Sequence, residues 1–323
     1  MFFHRRKDHP FHLFSGPLAG GEWRKLNENA IYRGQDSFNI VWNHELEREN
    51  CLFEPDDVGQ ASWTDLPQDL LEEEKTMEMQ KRFKMLSEAP WKTVFTQNSD
   101  RDWSKDWFLD GEHATVDNSP EELVFSAGPQ ARADEDHAVL WTRQVFDGSL
   151  KVEYEFTRLD EATAFVGIRY LQATGSGEDG YDADIAAWSE RRRIPAMNRY
   201  FRNMHTYHIS YAAYGTRNTD PEDDYVRARR YRPDLKQGLR GTELEGEFSR
   251  TWLFKTGQPH RITVLKHDDL LFMQAKNLTT GSSRLFYWRT DVQPAITSGR
   301  IGLRHMYTRS ARYGGFRVST PDG

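Results

Sequence analysis

The sequence has 323 residues, with 43 lysines and arginines against 50 aspartates and glutamates, giving a formal net charge of −7. Only 37% of residues are hydrophobic but 13% are aromatic, so the core must lean on rings, which bury large areas per side chain. No apolar run approaches the roughly 18 residues of a membrane span, Cys51 is single and excludes an intrachain disulfide, and the length suits one large domain or a domain with an appendage.

At the start, Met1–Phe3 precede a charged stretch, and no apolar run of signal-peptide length follows. The expectation is a cytoplasmic protein, or a periplasmic one had a leader been removed. Residues 1–95 are rich in turn residues and charge, with scattered Trp23, Trp42, Trp63 and Trp91. They read as an extension packed on a main domain of residues 96–323. One helix is expected within the extension. Asp65 serves as cap and Pro67 suits the first turn, and Leu70, Leu71, Met77, Phe83 and Leu86 recur at roughly helical spacing. Glu72–Glu74 near its start and Lys81, Arg82 and Lys84 near its end match the helix dipole, and Ala89-Pro90 ends it.

From about residue 105 the pattern becomes strands. Leu150, Val152, Tyr154 and Phe156 alternate with Lys151, Glu153, Glu155 and Thr157, the period of a strand with one wet face. Further strands are predicted at 122–127, 138–146, 164–171, 206–213, 249–254, 260–266, 270–276, 284–289, 299–305 and 312–318. Turn pairs such as Asp147-Gly148, Thr256-Gly257 and Thr280-Gly281 separate several of them. The fold class that follows is all-β, an antiparallel β-sandwich or jelly roll with a helix-bearing N-terminal extension. Residues 214–247, full of charge and proline, read as a long loop over one face.

The segment 188–232 gathers Arg191, Arg192, Arg193, Arg199, Arg202, Arg217, Arg227, Arg229, Arg230 and Arg232. Arginine grips carboxylates, sulfates and phosphates through paired hydrogen bonds. The plainer alternative is loop ion pairing with Asp220, Glu222, Asp223 and Asp224. Acidic overall charge and the absence of a nucleic-acid motif argue against DNA or RNA as partner. Within the segment, the strand Asn203–Tyr211 sets His205, Tyr207, Ile209 and Tyr211 on one face and Thr206, His208 and Ser210 on the other. The first face is expected to form an open sugar-binding floor, with histidine as base and a tyrosine whose pKa neighbouring arginines lower. The competing reading is a buried aromatic strand. His205-x-x-His208 puts its rings on opposite faces, so no zinc site is expected. Asp179, Asp182 and Asp184 form at most a loose calcium-like cluster. Asp182 and Asp184 would also share a strand face as a carboxylate pair, without the following glutamate that jelly-roll glycosidases carry.

Ser298–Met306 and Ala311–Val318 give a strand, a loop and a closing strand. This pair resembles the last strands of the concanavalin A-like lectin/glucanase superfamily. Around Asn203–Tyr211 and Gly299–Val318 the chain is similar to a bacterial family of unknown function often encoded beside polysaccharide-degradation genes. The resemblance spans about residues 105–320 and implies a carbohydrate-active jelly roll with no assigned reaction. Residue types then favour β-elimination on an acidic oligosaccharide or polysaccharide. Arg199, Arg202 and Arg304 would bind the carboxylate, with Asn203 and Trp188 also on the substrate. His205 or His208 would be the base and Tyr207 or Tyr211 the acid. The glutamine-x-histidine and tyrosine-lysine strands of jelly-roll alginate lyases are absent. A glycoside hydrolase using Asp182 and Asp184, or a non-catalytic carbohydrate-binding protein, are the alternatives.

Overall fold

The computed structural model describes residues 13–15, 24–25, 40–41, 68–97, 102–119 and 122–322. The chain divides into two compact units, Met1–Glu74 and Lys75–Gly323. In the first, strands β1 (Leu13–Ser15), β2 (Arg24–Lys25) and β3 (Ile40–Val41) form a small antiparallel sheet with β1 in the middle. Helix α1 (Gln68–Glu88) matches the expected helix, while its proposed cap, Asp65, and Pro67 lie outside the described residues.

The second unit contains β4 (Trp91–Thr96), β5 (Trp107–Asp110), β6 (Thr115–Asn118), β7 (Leu123–Ser126), β8 (Ala138–Thr142), β9 (Phe146–Asp147) and β10 (Leu150–Arg158). There follow β11 (Gly167–Gly175), a 3-10 helix (Ile185–Arg192), α2 (Met197–Phe201), β12 (Met204–Ala213), β13 (Tyr225–Arg230) and β14 (Glu243–Ser249). The last strands are β15 (Pro259–His267), β16 (Leu270–Asn277), β17 (Ser283–Arg289), β18 (Ser298–His305) and β19 (Ser310–Pro321). Two antiparallel sheets result. Sheet one runs β17-β16-β15-β10-β19-β7-β6, with β4 also on β19. Sheet two runs β14-β13-β12-β11-β18-β8-β5, with β9 also on β18.

The inner faces pack into one aromatic-rich core. Val152, Tyr154 and Phe156 of β10 meet Tyr207, Ile209 and Tyr211 of β12, while Phe316 stacks edge-on to Trp107 and Phe95. A bulge where β10 meets β19 breaks the register between Glu153 and Glu155, and Gly315 takes up the left-handed backbone there at φ +56°. On the outer side of sheet one, Met79 and Phe83 of α1 pack against Leu265, Leu270 and Phe272. No helix among the described residues is long and apolar enough to cross a membrane.

Two expectations are corrected. Residues 214–247 are not one loop, because they contain all of β13 and the start of β14. Residues 249–254 are not a strand. β14 ends at Ser249, and Arg250, Trp252 and Phe254 then adopt left-handed backbone at φ 48°, 55° and 58°, which breaks the two-residue alternation.

Candidate functional site

Strand pairing on sheet two aligns outward-facing side chains into two rows. Arg229, His208, Tyr170, Gly302, Trp141 and Phe108 are cross-strand neighbours in the first. Arg227, Ser210, Ile168, Arg304, Val139 and Asp110 form the second. The missing side chain of Gly302 makes room for an indole. A Cβ built there would stand 2.5 Å from Cζ3 of Trp141. Gly302→Val is therefore expected to cost about 1–3 kcal/mol through overpacking, read as a lowered thermal midpoint with an otherwise native spectrum.

Residues 176–203 lie over the β11–β5 half of these rows. Tyr200 stacks on Tyr170 and Trp141 at centroid distances of 6.0 and 6.3 Å. Asp110 holds this roof down, accepting from Arg192 Nε at 2.6 Å, Trp141 Nε1 at 2.7 Å and the Tyr200 hydroxyl at 3.0 Å. Burial raises this carboxyl above its ordinary value even though its three donors pull the other way. The β12–β13 side is more open, with the Arg227 side chain one-third exposed.

Where the roof ends, His208 sits in a hydrogen-bonded chain. Its Nδ1 lies 2.6 Å from the Tyr231 hydroxyl and its Nε2 lies 2.6 Å from Ser210 Oγ. Burial, together with Arg229, Arg227 and Arg304, holds His208 well below the usual imidazole range, so it is neutral at pH 7. Burial drives Tyr231 and Tyr170 the other way, and both keep their phenolic protons. The expected lowering of a tyrosine pKa by neighbouring arginines is not met at Tyr211, where desolvation outweighs the positive charge.

Arg304 is fully buried in the second row. Nη2 donates to the Pro195 carbonyl at 2.8 Å, and the guanidinium lies 4.5 Å from the Tyr200 ring centroid. The Tyr170 hydroxyl also acts on this guanidinium, and among the described residues no carboxylate pairs with it.

The sequence-predicted residues do not converge on one site. Tyr207 and Tyr211 do share a face, but it is the inter-sheet core and not an open floor, because both sheets close over it. Burial raises Tyr211 well above the ordinary phenol value. His205, half-buried at the end of the same face, is 3.2 Å from Arg230 and is lowered by burial and then by that charge. Only His208 and Arg304 lie on the outer rows. Trp188 is no exposed platform, since it is buried in the roof with Arg192 4.2 Å over its ring. Exposed Arg199 and Arg202 also belong to the roof segment, and Asn203 donates to the Arg199 carbonyl at 2.8 Å. Several of the arginines pair with carboxylates other than the loop acids expected. Arg229 meets Glu243, Arg227 meets Glu247 and Arg232 meets Asp234.

Asp184 caps the 3-10 helix through Ala186 N and pairs with Arg300 at 2.8 Å, which removes it from any pair with Asp182. Among the described residues no three His, Cys, Asp or Glu side chains gather as metal ligands. Asp179 belongs to no such group either.

A second surface lies outside sheet one. A groove of about 680 Å³ is lined by Glu122, Glu153, Glu155, Arg261, Arg312 and Arg317 among others. Each glutamate is paired, Glu153 with Arg317 at 2.9 Å, Glu155 with Arg261 at 2.5 Å and Glu122 with Arg312 at 2.6 Å. Burial alone would raise Glu153, but Arg317 and its cationic neighbours hold it below its ordinary value. Glycoside hydrolysis needs one carboxyl kept protonated as acid, and the cations around Glu153 do the opposite to it.

Comparison with known proteins adds the following. A protein-family profile described as a domain of unknown function (DUF1961) matches residues 94–318. A protein of unknown function with a galectin-like fold from Bacillus subtilis superposes with a TM-score of 0.53 at 21% identity, covering 71% of this chain and 97% of that one. The basic winged bean lectin with Tn-antigen gives 0.47 at 10% identity, covering 72% and 100%. A legume lectin-like domain from Entamoeba histolytica gives 0.46 at 9%, covering 70% and 96%. No curated protein matches by sequence.

Proposed function

This chain belongs to the DUF1961 family and has the concanavalin A-like jelly-roll fold, and from that premise we propose that it is a carbohydrate-active protein cleaving an acidic, uronate-containing glycan by β-elimination. Fold alone assigns no reaction. The observation that carries the reading is Arg304, a buried guanidinium on the outer face of sheet two that meets the Pro195 carbonyl and the Tyr170 hydroxyl but pairs with no carboxylate among the described residues. A substrate carboxylate supplies the missing counter-charge. Neutralising that carboxylate acidifies the proton at sugar C5.

The chain Ser210–His208–Tyr231 then moves the protons. With Nδ1–H of His208 donating to the Tyr231 oxygen, Nε2 carries the lone pair, and the Ser210 hydroxyl occupies it until substrate displaces it. Nε2 takes the C5 proton, the C4–O bond breaks, and the electron pair becomes a C4=C5 double bond conjugated with the carboxylate. Tyr231 gives its proton to the departing oxygen and recovers one from Nδ1, so Tyr231 ends as it began while His208 ends as the Nε2–H tautomer and returns to the Nδ1–H form by proton exchange with water before the next turnover. A base held neutral by burial works well below pH 6.5, so the acidic limb of the rate profile is expected below the ordinary histidine range.

The test is incubation with uronate oligosaccharides while following the ultraviolet absorbance of the unsaturated product. His208→Gln and Tyr231→Phe are each expected to lose about 10²–10⁴-fold in turnover with unchanged thermal midpoints. Cleavage without that absorbance overturns elimination, and full activity in both variants overturns the residue roles. A binding-only reading has one observation in its favour, since both His208 nitrogens are already bonded and the ring is buried. Retention of acidic glycans with no cleavage supports it.

A further inference from the structure

Between the sheets, on the opposite side of β11 from the outer rows, lies a second buried arginine. Arg169 is fully enclosed, with its guanidinium 4.2 Å from the Tyr154 ring centroid and 5.2 Å from that of Phe316. Among the described residues the Tyr154 hydroxyl is the polar group that acts on it by hydrogen bonding, and no carboxylate pairs with it. The Tyr154 hydroxyl, buried in the same core, also acts on Tyr211, and His305 interacts with the Arg309 backbone. Tyr211 and Tyr313 face this group with their hydroxyls 3.4 Å apart, and His305 Nε2 is 2.7 Å from the Tyr313 hydroxyl.

The charge here does not balance. No carboxylate is among the groups acting on Arg169. Asp160, the carboxylate that acts on neighbouring His305, is committed to Arg158 and Arg309, each at 3.0 Å. Burial keeps Tyr154, Tyr211 and Tyr313 protonated and His305 neutral, so none of them supplies a negative charge. An isolated cation in a protein interior is strongly unfavourable unless paired.

We propose that the core holds a small inorganic anion of the halide class, bound by the Arg169 guanidinium and the Tyr154 hydroxyl between β10 and β11. The donors are N–H and O–H groups only, which suits a spherical monovalent acceptor. Their enclosure excludes a sugar carboxylate or a phosphate ester, so this site is distinct from the outer face of sheet two. An anion sealed between two sheets enters as the chain folds and leaves only when it unfolds, which ties it to stability.

The protein is refolded from urea into buffers containing bromide, chloride or only gluconate, and bromide-loaded crystals are measured at the bromine absorption edge. The expected result is one anomalous peak within hydrogen-bonding reach of Arg169. Bromide should survive dialysis at one per chain, and the unfolding constant should fall by about tenfold for each tenfold rise in free halide above its dissociation constant. Arg169→Met fills the space without charge and is expected to lose the peak and the halide dependence. If that variant does not fold, Tyr154→Phe, which removes one donor, is expected to weaken the dependence. Water alone at that position, no halide dependence of unfolding, or equal bromide retention in the variants overturns the proposal.

Discussion

Asp110→Ala is expected to lower the unfolding free energy by about 3–5 kcal/mol, the cost of leaving a buried partner charge uncompensated. The carboxylate is the single acceptor shared by Arg192, Trp141 and the Tyr200 hydroxyl, and all four residues are buried. Removing it strands the Arg192 guanidinium against the Trp188 ring and unpins residues 176–203 from sheet two. Urea unfolding measures the loss, and limited proteolysis is expected to cut first within 176–203. The double variant Asp110→Leu with Arg192→Met removes both charges and is expected to recover most of the stability. A single variant losing less than about 1 kcal/mol, within the range of an exposed pair, would show that the roof is held by its stacked rings instead.

The second large effect is acid lability. Burial, and then Arg309, lower His305 to about 3, while burial and Arg304 lower His137 to about 2. Both folded values lie below the roughly 6.5 of an unfolded histidine. The unfolded chain therefore binds more protons, and stability is complete above about pH 6.5 and drains as pH falls toward the folded values. His305 alone is worth of the order of 4 kcal/mol over that window. Denaturant midpoints from pH 8 to pH 4 read this directly. His305→Gln, which keeps a hydrogen-bonding side chain but cannot titrate, is expected to flatten the slope. Equal midpoints at pH 7 and pH 4 in the wild type would refute it.

The fold was legible wherever one strand face is wet. Lys151, Glu153 and Glu155 mark the outside of β10 so clearly that its core face needs no further evidence. β12 is buried on both faces, so its pattern could not say which side carries chemistry, and Tyr207 and Tyr211 were assigned to a surface they never reach. Tyr231 was missed for a related reason. Tyr225, Arg227, Arg229 and Tyr231 alternate with buried Val226 and Ala228, a period of two that the high arginine content of the segment hides. Arg304 and His208 stand out in the sequence because charge and imidazole on a strand are costly without a partner, and the fold sets both on the outer rows of sheet two. Asp110 left no such signal, since its donors Trp141, Arg192 and Tyr200 come from three distant points in the chain.

β19 lies in the interior of sheet one, flanked by β10 and β7, and β4 also pairs along it. These neighbours precede it in the chain by more than 150 residues. During translation, β10 and β7 therefore leave the ribosome with open edges and must wait for residues 310–321 before the sheet can close. The domain has to be completed before it is folded, and a nascent chain paused short of β19 would present exposed strand edges that a chaperone must shield.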